Sequence, residues 1–320
     1  MKLLRLLSKT EFMSGVDLAQ KLNVSRTTIS NHMVQWRERG VGIDVVPGLG
    51  YRLTQGIDFL DEMQLVHDLR AYGHERFNLT VRDIVGSTND IAAKQLGGAT
   101  DLVVSLAEYQ ESGRGRRGRS WQSPPGAGLV ASIGWRTVVG VSALQGLSLA
   151  VGVVILEAME SMGFTGLALK WPNDIVSEKG KVGGILIELS GEIDGPSQVV
   201  IGVGLNLYDR IKLADYPVDA LMQMPEDATR STVSRHRITL EVLNAVMSLI
   251  ERFPAVGFGE WRDRWIQRDF YRDREVVLLG YQEPVFGIAR GVDATGGLLV
   301  ENDKGLVVYS GGELSMRPVI

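Results

Sequence analysis

Apolar positions along the chain change period from one region to the next. Leu3, Leu4, Leu6 and Leu7 make the apolar face of a short first helix. The pattern then predicts a helix over Val16–Leu22, with Ser14 as N-cap and Asp17 in the first turn. Asn23 follows, a residue type that tolerates the left-handed conformation a tight helix–helix turn requires. Ser25 caps a third helix, Arg26–Arg37, where Ile29, Met33 and Trp36 form one buried stripe at i, i+4 and i+7. Two short apolar runs, Ile43–Val46 and Tyr51–Leu53, flank Pro47–Gly48–Leu49–Gly50 and read as strand, turn and strand. Gln55–Asp58 reads as a linker.

Beyond the linker, strand-like and helix-like segments alternate. Val81–Val85 is strand-like and leads through Gly86–Asp90 into a helix at Ile91–Leu96. Leu102–Ala107 is almost continuously apolar, as expected of a strand buried on both faces. Leu129–Trp135 is another strand. A long helix is expected from Ser142 to Met162, with Leu144, Leu147, Val151, Val154, Ile155 and Ala158 on one side. Leu167–Ile175, a turn at Glu178–Lys179–Gly180, and Lys181–Glu188 form strands joined by polar corners. Val199–Val203 ends in Gly204–Leu205–Asn206. Helical Ile238–Phe253 and the Trp261–Trp265 stretch come before four short strands, Glu275–Leu279, Val285–Val292, Leu298–Glu301 and Leu306–Tyr309. No internal repeat is evident.

The 320 residues suffice for two or three domains, and 44% hydrophobic with 22% charged residues is an ordinary globular balance. No apolar run in the pattern reaches the length of a membrane span, and the first residues lack the features of a cleaved signal. Cytoplasm and no membrane association are therefore the expectation. The absence of cysteine excludes disulfides, thiolate metal sites and cysteine nucleophiles. The net charge of −4 hides an asymmetry: residues 1–56 carry eight Lys/Arg against four acids, the remainder 26 against 34. A basic head on an acidic body points to a polyanion as partner of the head alone. Arg26, Thr27, Ser30 and Asn31, opposite the buried stripe, are residues able to reach phosphates and base edges. Turn chemistry, polar face and wing agree on a winged helix-turn-helix that binds DNA; a small helical protein-interaction domain is the alternative.

Three segments carry candidate chemistry. Ser87–Thr88–Asn89 places two hydroxyls and an amide at a helix start, where plain capping is the alternative reading. Glu108–Trp121 contains four arginines and three glycines between 113 and 119. Gly113, Gly115 and Gly118 satisfy the dinucleotide spacing G-x-G-x-x-G, but the chain continues Trp121–Gln122–Ser123–Pro124–Pro125–Gly126, which cannot be the helix that fingerprint opens. An anion-binding loop fits better, with glycines admitting main-chain N–H groups and forked guanidinium donors meeting carboxylate or phosphate. A solvated basic loop is the alternative. The third segment presents Lys170, Asn173, Asp174 and Lys181 from one hairpin near a strand end, and Gly183–Gly184 implies a close approach by another backbone or a ligand.

Gly113–Arg119 with Trp121, Lys170–Trp171–Pro172–Asn173–Asp174, and Lys181–Glu188 together resemble the biotin–protein ligase family. The head resembles that of its bifunctional bacterial members, which double as repressors of the biotin operon. The resemblance covers nearly the whole chain. It implies an α+β protein in three parts: a winged helix-turn-helix at 1–56, a class II synthetase-like catalytic domain of mixed β-sheet with flanking helices at 57–268, and an SH3-like β-barrel at 269–320. The implied chemistry joins biotin to ATP as biotinyl-5′-AMP, then transfers biotin to a lysine of a biotin carboxyl carrier protein. By the same resemblance, Arg114, Gly115 and Arg116 form the biotin loop, and Ser87, Thr88, Asn89 and Gln110 serve the ureido ring and nearby groups. Lys181 meets the biotin carboxylate and α-phosphate. Arg117, Arg119 and Lys170 are phosphate contacts. Asn173, Asp174 and Asn206 handle Mg²⁺–pyrophosphate or position the incoming lysine. Lys181, Arg116 and Asp174 are the expected catalytic residues, and no metal ligand is assigned. Operator DNA and, with adenylate bound, a homodimer are the further partners. One departure is visible: the region 208–223 that some members close over adenine has Tyr208, Leu213, Tyr216 and Pro217 but no tryptophan. Rival readings are a lipoate or octanoate ligase, a biotin-sensing repressor without catalysis, and a ligase whose head no longer binds DNA.

Overall fold

The structure is a computed structural model that describes residues 1–96, 101–208, 217–223, 233–310 and the strand 315–318. Its head contains α1 (Lys2–Leu6), α2 (Gly15–Leu22), α3 (Arg26–Glu38) and the hairpin β1 (Ile43–Val46)–β2 (Gly50–Leu53). The local chemistry is as expected. Ser14 accepts a hydrogen bond from the Asp17 N–H, Ser25 accepts one from the Thr28 N–H, and Asn23 takes φ 53 between the two helices. Ile29, Met33 and Trp36 are buried in a core separate from that of the body.

The body begins with α4 (Glu62–Ala71), β3 (Asn78–Val85), α5 (Thr88–Gln95), β4 (Leu102–Gln110), β5 (Gly128–Thr137) and α6 (Leu147–Ser161). Then come β6 (Ala168–Lys170), β7 (Asp174–Val176), β8 (Lys181–Gly191), β9 (Ser197–Asn206), α7 (Arg235–Val256) and α8 (Gly259–Gln267). Seven strands form one mixed sheet in the order β3-β4-β5-β9-β8-β7-β6, with β3 and β4 parallel and the other pairs antiparallel. Alternation along the strands separates two faces. Val104, Leu106, Ile133, Val199 and Ile201 face the main core with α6 and α7. Val103 and Val200 instead pack on Ala92 of α5 and on Leu96, which caps it. The polar and glycine positions of β5, β8 and β9 open on the α5 side, and the candidate site lies there.

Several sequence expectations need correction. Helix α5 starts at Thr88, three residues before the expected Ile91, so the hydroxyl–amide segment is itself the first turn. The expected single helix from Ser142 is two pieces: a short 3₁₀ turn, Val141–Leu144, then α6 after Gly146 at φ 75. Helix α6 is not apolar on one side only, since Leu149, Ala150, Val153 and Leu156 are buried along with Leu147, Val151 and Ile155. By length and composition Val141–Ser161 could cross a membrane, contrary to the expectation that no stretch would qualify. It packs between α7, α8 and the sheet, the environment of a core helix.

The last part holds β10 (Glu275–Leu279), β11 (Val285–Val292), β12 (Leu298–Asn302), β13 (Gly305–Tyr309) and β14 (Ser315–Pro318), an antiparallel sheet in the order β13-β12-β11-β10-β14. Strand β14 was not expected. Val276, Leu278, Ala289, Val292, Leu298 and Val300 belong to the same core as the seven-stranded sheet. Trp171, buried beside the polar corner, donates its indole N–H to the Gly296 carbonyl at 3.0 Å. The segment Lys170–Asp174 is thereby tied to the C-terminal strands.

One buried junction joins linker, sheet and helix. Arg235, at the start of α7, pairs with Glu108 of β4, and both side chains are fully buried. The Arg235 guanidinium also donates to the Gly128 carbonyl at 3.0 Å and the Asp58 carbonyl at 2.8 Å. The other oxygen of Glu108 accepts the Leu60 N–H at 2.8 Å.

Candidate active site

A cavity of about 1340 Å³ opens between the α5 face of the sheet, the 112–122 loop and the C-terminal strands. It is lined by every ligase-site residue singled out from the sequence: Ser87, Thr88, Asn89, Gln110, Arg114, Gly115, Arg116, Arg117, Arg119, Lys170, Asn173, Asp174, Lys181 and Asn206.

One end is a buried polar set. The Thr88 N–H and hydroxyl both donate to Gln110 Oε1, at 2.7 and 3.0 Å. The Ser132 hydroxyl lies 2.7 Å from Thr88 Oγ1 and within hydrogen-bond reach of Asn89 Oδ1. Asn89 donates to Glu188 of β8 at 2.7 Å. Ser87 is buried, and its hydroxyl makes no capping hydrogen bond to its helix. This end is thus a fixed array of hydroxyl and amide groups, suited to a small neutral polar ring. Ser132, Glu188 and Asp90 escaped the sequence reading, because each lies in an ordinary strand or helix pattern and gains meaning only from its neighbours in space.

The floor is smooth because β8 and β9 carry glycines there. A Cβ on Gly204 would lie 2.4 Å from Trp121 Cε2, so the indole can rest on the sheet only over glycine. Gly183 faces Leu205, and Gly184 faces Lys181 Nζ and Trp121, so this pair admits the protein's own side chains.

The other end holds the charge. Lys181 Nζ stands 2.6 Å from Asp174 Oδ1 and 5.6 Å from the centre of the Trp121 ring. Lys170 Nζ lies 5.8 Å from the Tyr271 ring centre. The Arg116 guanidinium is held below its ordinary pKa by burial and by neighbouring Arg117, with Asp174 opposing. Arg117 sits in the left-handed region at φ 60, rare for a side chain of this size. Arg114 forms a two-pronged pair with Asp90, at 2.9 and 2.6 Å, and its guanidinium also lies 3.5 Å from Glu188 at the border of the polar set. That pairing raises the pKa of Arg114 and holds Asp90 below the usual carboxylate range. The amide nitrogens of two expected phosphate-side residues are directed at main chain: Asn173 donates to the Ile185 carbonyl, and Asn206 to the carbonyls of Lys181 and Asp219. Among the described residues, no group of three or more His, Cys, Asp or Glu side chains is arranged to hold a metal ion. Phe270, Tyr271, Val277, Pro284 and Phe286, near or within the C-terminal strands, complete the cavity rim. Leu213 and Tyr216 of the adenine-side region lie outside the described residues.

In the head, Arg26, Thr27, Ser30 and Asn31 are all exposed on α3. Its far end meets the body, where Arg39 reaches Glu111 at 3.2 Å and Trp36 packs edge-on against Tyr109.

Three family models match successive parts of the chain: an HTH domain at residues 1–52, the biotin/lipoate A/B protein ligase family at 82–206 and the biotin protein ligase C-terminal domain at 273–317. The bifunctional ligase/repressor BirA of Salmonella typhimurium is 35% identical over 98% of this chain and 96% of its own length. Its Escherichia coli counterpart is 34% identical over 99% and 97%. Among solved structures, the biotin protein ligase of Aquifex aeolicus in complex with biotin and ATP superimposes with a TM-score of 0.64 at 27% identity, covering 76% of this chain and 99% of that one. With the winged head, the ligase sheet and the C-terminal strands all matched in order, the chain belongs to the bifunctional biotin–protein ligase and repressor family.

Proposed function

We propose that the chain joins biotin to ATP in the large cavity, holds the resulting biotinyl-5′-AMP, and transfers biotin to a lysine of a biotin carboxyl carrier protein. The observation that carries this reading is the two-ended cavity, with a neutral hydroxyl–amide array at one end and the Lys181–Asp174 pair beside Arg116 at the other. Ser87, Thr88 and Gln110 hold the ureido ring. The apolar thioether ring and valeryl chain lie over the glycine floor against Trp121. The biotin carboxylate then points at Lys181 and Arg116, where it meets the α-phosphate. Two anions approach each other in this step, and preplaced cations lower the cost. The carboxylate oxygen bonds to the α-phosphorus and pyrophosphate leaves. In the second step, the acceptor amine attacks the biotinyl carbonyl and AMP leaves, with Asp174 placed to receive the amine proton.

The protein donor set fits magnesium carried in on the nucleotide's phosphates, since Mg²⁺ at nucleotide sites takes few protein ligands. Asn173, Asp174 and Asn206 would help to hold such an ion, which would neutralise phosphate charge. The domain limits follow the same reading: head at 1–56, ligase at 57–268, barrel at 269–320. The exposed Arg26, Thr27, Ser30 and Asn31 read operator DNA, and the nucleotide, carrier and operator place the protein in the cytoplasm. Val138 and Ile193, 86% and 74% exposed on neighbouring loops at the ends of the central strands β5, β8 and β9, support a homodimer through this end of the sheet.

Purified protein given Mg·ATP and biotin should release pyrophosphate, form biotinyl-5′-AMP by mass, and label a carrier domain. Lipoate and octanoate run in parallel discriminate the acid, and a lipoyl product without a biotinyl one would sink the proposal. Operator protection that appears only with biotin and ATP, alongside dimer formation in sedimentation, tests the head.

A further inference from the structure

Residues Pro217–Leu221 return to the sheet beside Lys181, and their hydrogen bonds converge on that lysine's main chain. Val218 forms an isolated parallel bridge with Lys181. The Lys181 N–H donates to the Pro217 carbonyl at 2.9 Å, and the Asp219 N–H donates to the Lys181 carbonyl at 3.0 Å. That carbonyl also accepts from Asn206 at 3.1 Å. The close approach requires Gly180, where a Cβ would lie 2.5 Å from the Pro217 carbonyl.

The segment is fastened by the Asp219 carboxylate. One oxygen accepts the Ser177 hydroxyl at 2.6 Å, and the other accepts the Ala220 N–H at 2.8 Å. Ser177 is buried and in turn accepts the Lys179 N–H at 3.1 Å. A single carboxylate thus fastens the returning segment to the turn that precedes Lys181.

Lys181 is the first residue of β8, and strand ends open more readily than centres. Asp174 holds the Lys181 ammonium at 2.6 Å, and the position of the Lys181 Cα sets where the root of the four-carbon stem stands. A misplacement of about 1 Å at a reacting centre costs on the order of 10²-fold in rate.

We propose that Asp219 is a positioning residue for adenylation: with Ser177 it clasps Pro217–Leu221 against Lys181 and so fixes where the ammonium stands. The proposal rests on the reading that Lys181 shields the carboxylate and α-phosphate. Asp219 itself touches neither substrate.

The test uses full-length protein with biotin and Mg·ATP, following adenylate formation in a single turnover. Asp219→Ala should slow that step about 10-fold while KM for biotin changes less than about 2-fold, because the polar end of the cavity is untouched. Asp219→Asn keeps one acceptor oxygen and should recover part of the loss. Ser177→Ala should lose about as much as Asp219→Ala, and the double variant little more, since both break one clasp. A loss shared equally between kcat and biotin KM, additive losses in the double variant, or rates that follow only the fall in Tm would mean a general structural role and overturn the proposal. Wild-type rates in Asp219→Ala would overturn it too. A wild-type protein that makes no adenylate would instead overturn the reading of the whole site, so the two failures are distinct.

Discussion

Glu108 and Asp90 each hold an arginine, and they do so under opposite conditions. Glu108 and Arg235 have no exposed side-chain surface, and around the pair stand the main-chain carbonyls of Asp58 and Gly128, the Leu60 N–H and, 4.0 Å from Glu108, the Arg5 guanidinium. Asp90 and Arg114 keep half and 39% of their side-chain surface in solvent, at the edge of the loop that borders the cavity. The chemistry of the contact is the same. Burial makes the first pair a part of the frame, because neither charge has water to fall back on. Exposure leaves the second weak and separable, which suits a loop that has to admit and release a ligand. The arginine of the frame is fixed by burial, and Arg114 of the loop is paired where water can replace its partner.

The largest test of this contrast is Arg235→Met. It leaves the buried Glu108 carboxylate with Arg5 at 4.0 Å in place of a direct pair and should cost about 3–5 kcal/mol of stability, read as a drop in denaturation midpoint. Replacing Glu108 by Leu in the same protein should recover part of the loss. An unchanged midpoint would place the buried pair with the exposed one and remove the distinction.

Lys181→Ala should do the reverse, lowering adenylate formation by about 10²–10³-fold with little change in midpoint. Wild-type adenylation in that variant would reject the assignment of the lysine.

Asp269 supplies an intermediate case, a largely buried carboxyl with no salt bridge among the described residues and with Arg272 and Arg274 acting on it only at a distance. One oxygen accepts the Tyr271 N–H at 3.0 Å, the other has no hydrogen-bond partner among the described residues, and burial pushes its pKa up to about 6. The folded state therefore keeps a proton that the unfolded chain releases near 3.8, so the contribution to stability is lost as pH rises from 3.8 through 6. Asp269→Asn should gain about 1–3 kcal/mol at pH 8 and nothing at pH 4, a difference that thermal melts at the two pH values would reveal.

Arg116→Gly should leave stability unchanged and release activated biotin about 10-fold faster, detected as label on bystander protein. Equal release would show that the loop does not retain the adenylate.

The smallest effect belongs to Asp90→Asn, within about 1 kcal/mol of wild type. Because Arg114 depresses the Asp90 pKa, the stabilisation is complete above 3.8 and is lost as pH falls through the lower folded value. A change well above that size would mean the loop is as much a part of the frame as Glu108.

Much of this was legible in the amino-acid order, for local reasons. Ser14, Asn23 and Ser25 mark helix boundaries through hydrogen bonds to residues three or four positions away, and alternation marks the strands. The arginine–glycine loop and Lys170–Asp174 announce themselves because residue types so concentrated have few purely structural uses. The start of α5 was misplaced because a hydroxyl–amide segment reads equally as a cap or as a first turn. The break at Gly146 was missed because the apolar pattern runs straight through it.

What the order of residues determined by itself was the set of short-range choices: caps, turns, strand patterns and the family-defining clusters. Only the tertiary structure decided which carboxylate meets which arginine, that an apolar stretch long enough for a membrane is a core helix, and that Asp219 is fastened beside Lys181. Partners 42 or 127 residues apart in the chain, as in Ser177–Asp219 and Glu108–Arg235, leave no periodic trace. Their pairing is set by how the sheet and helices pack, and by how much water that packing excludes.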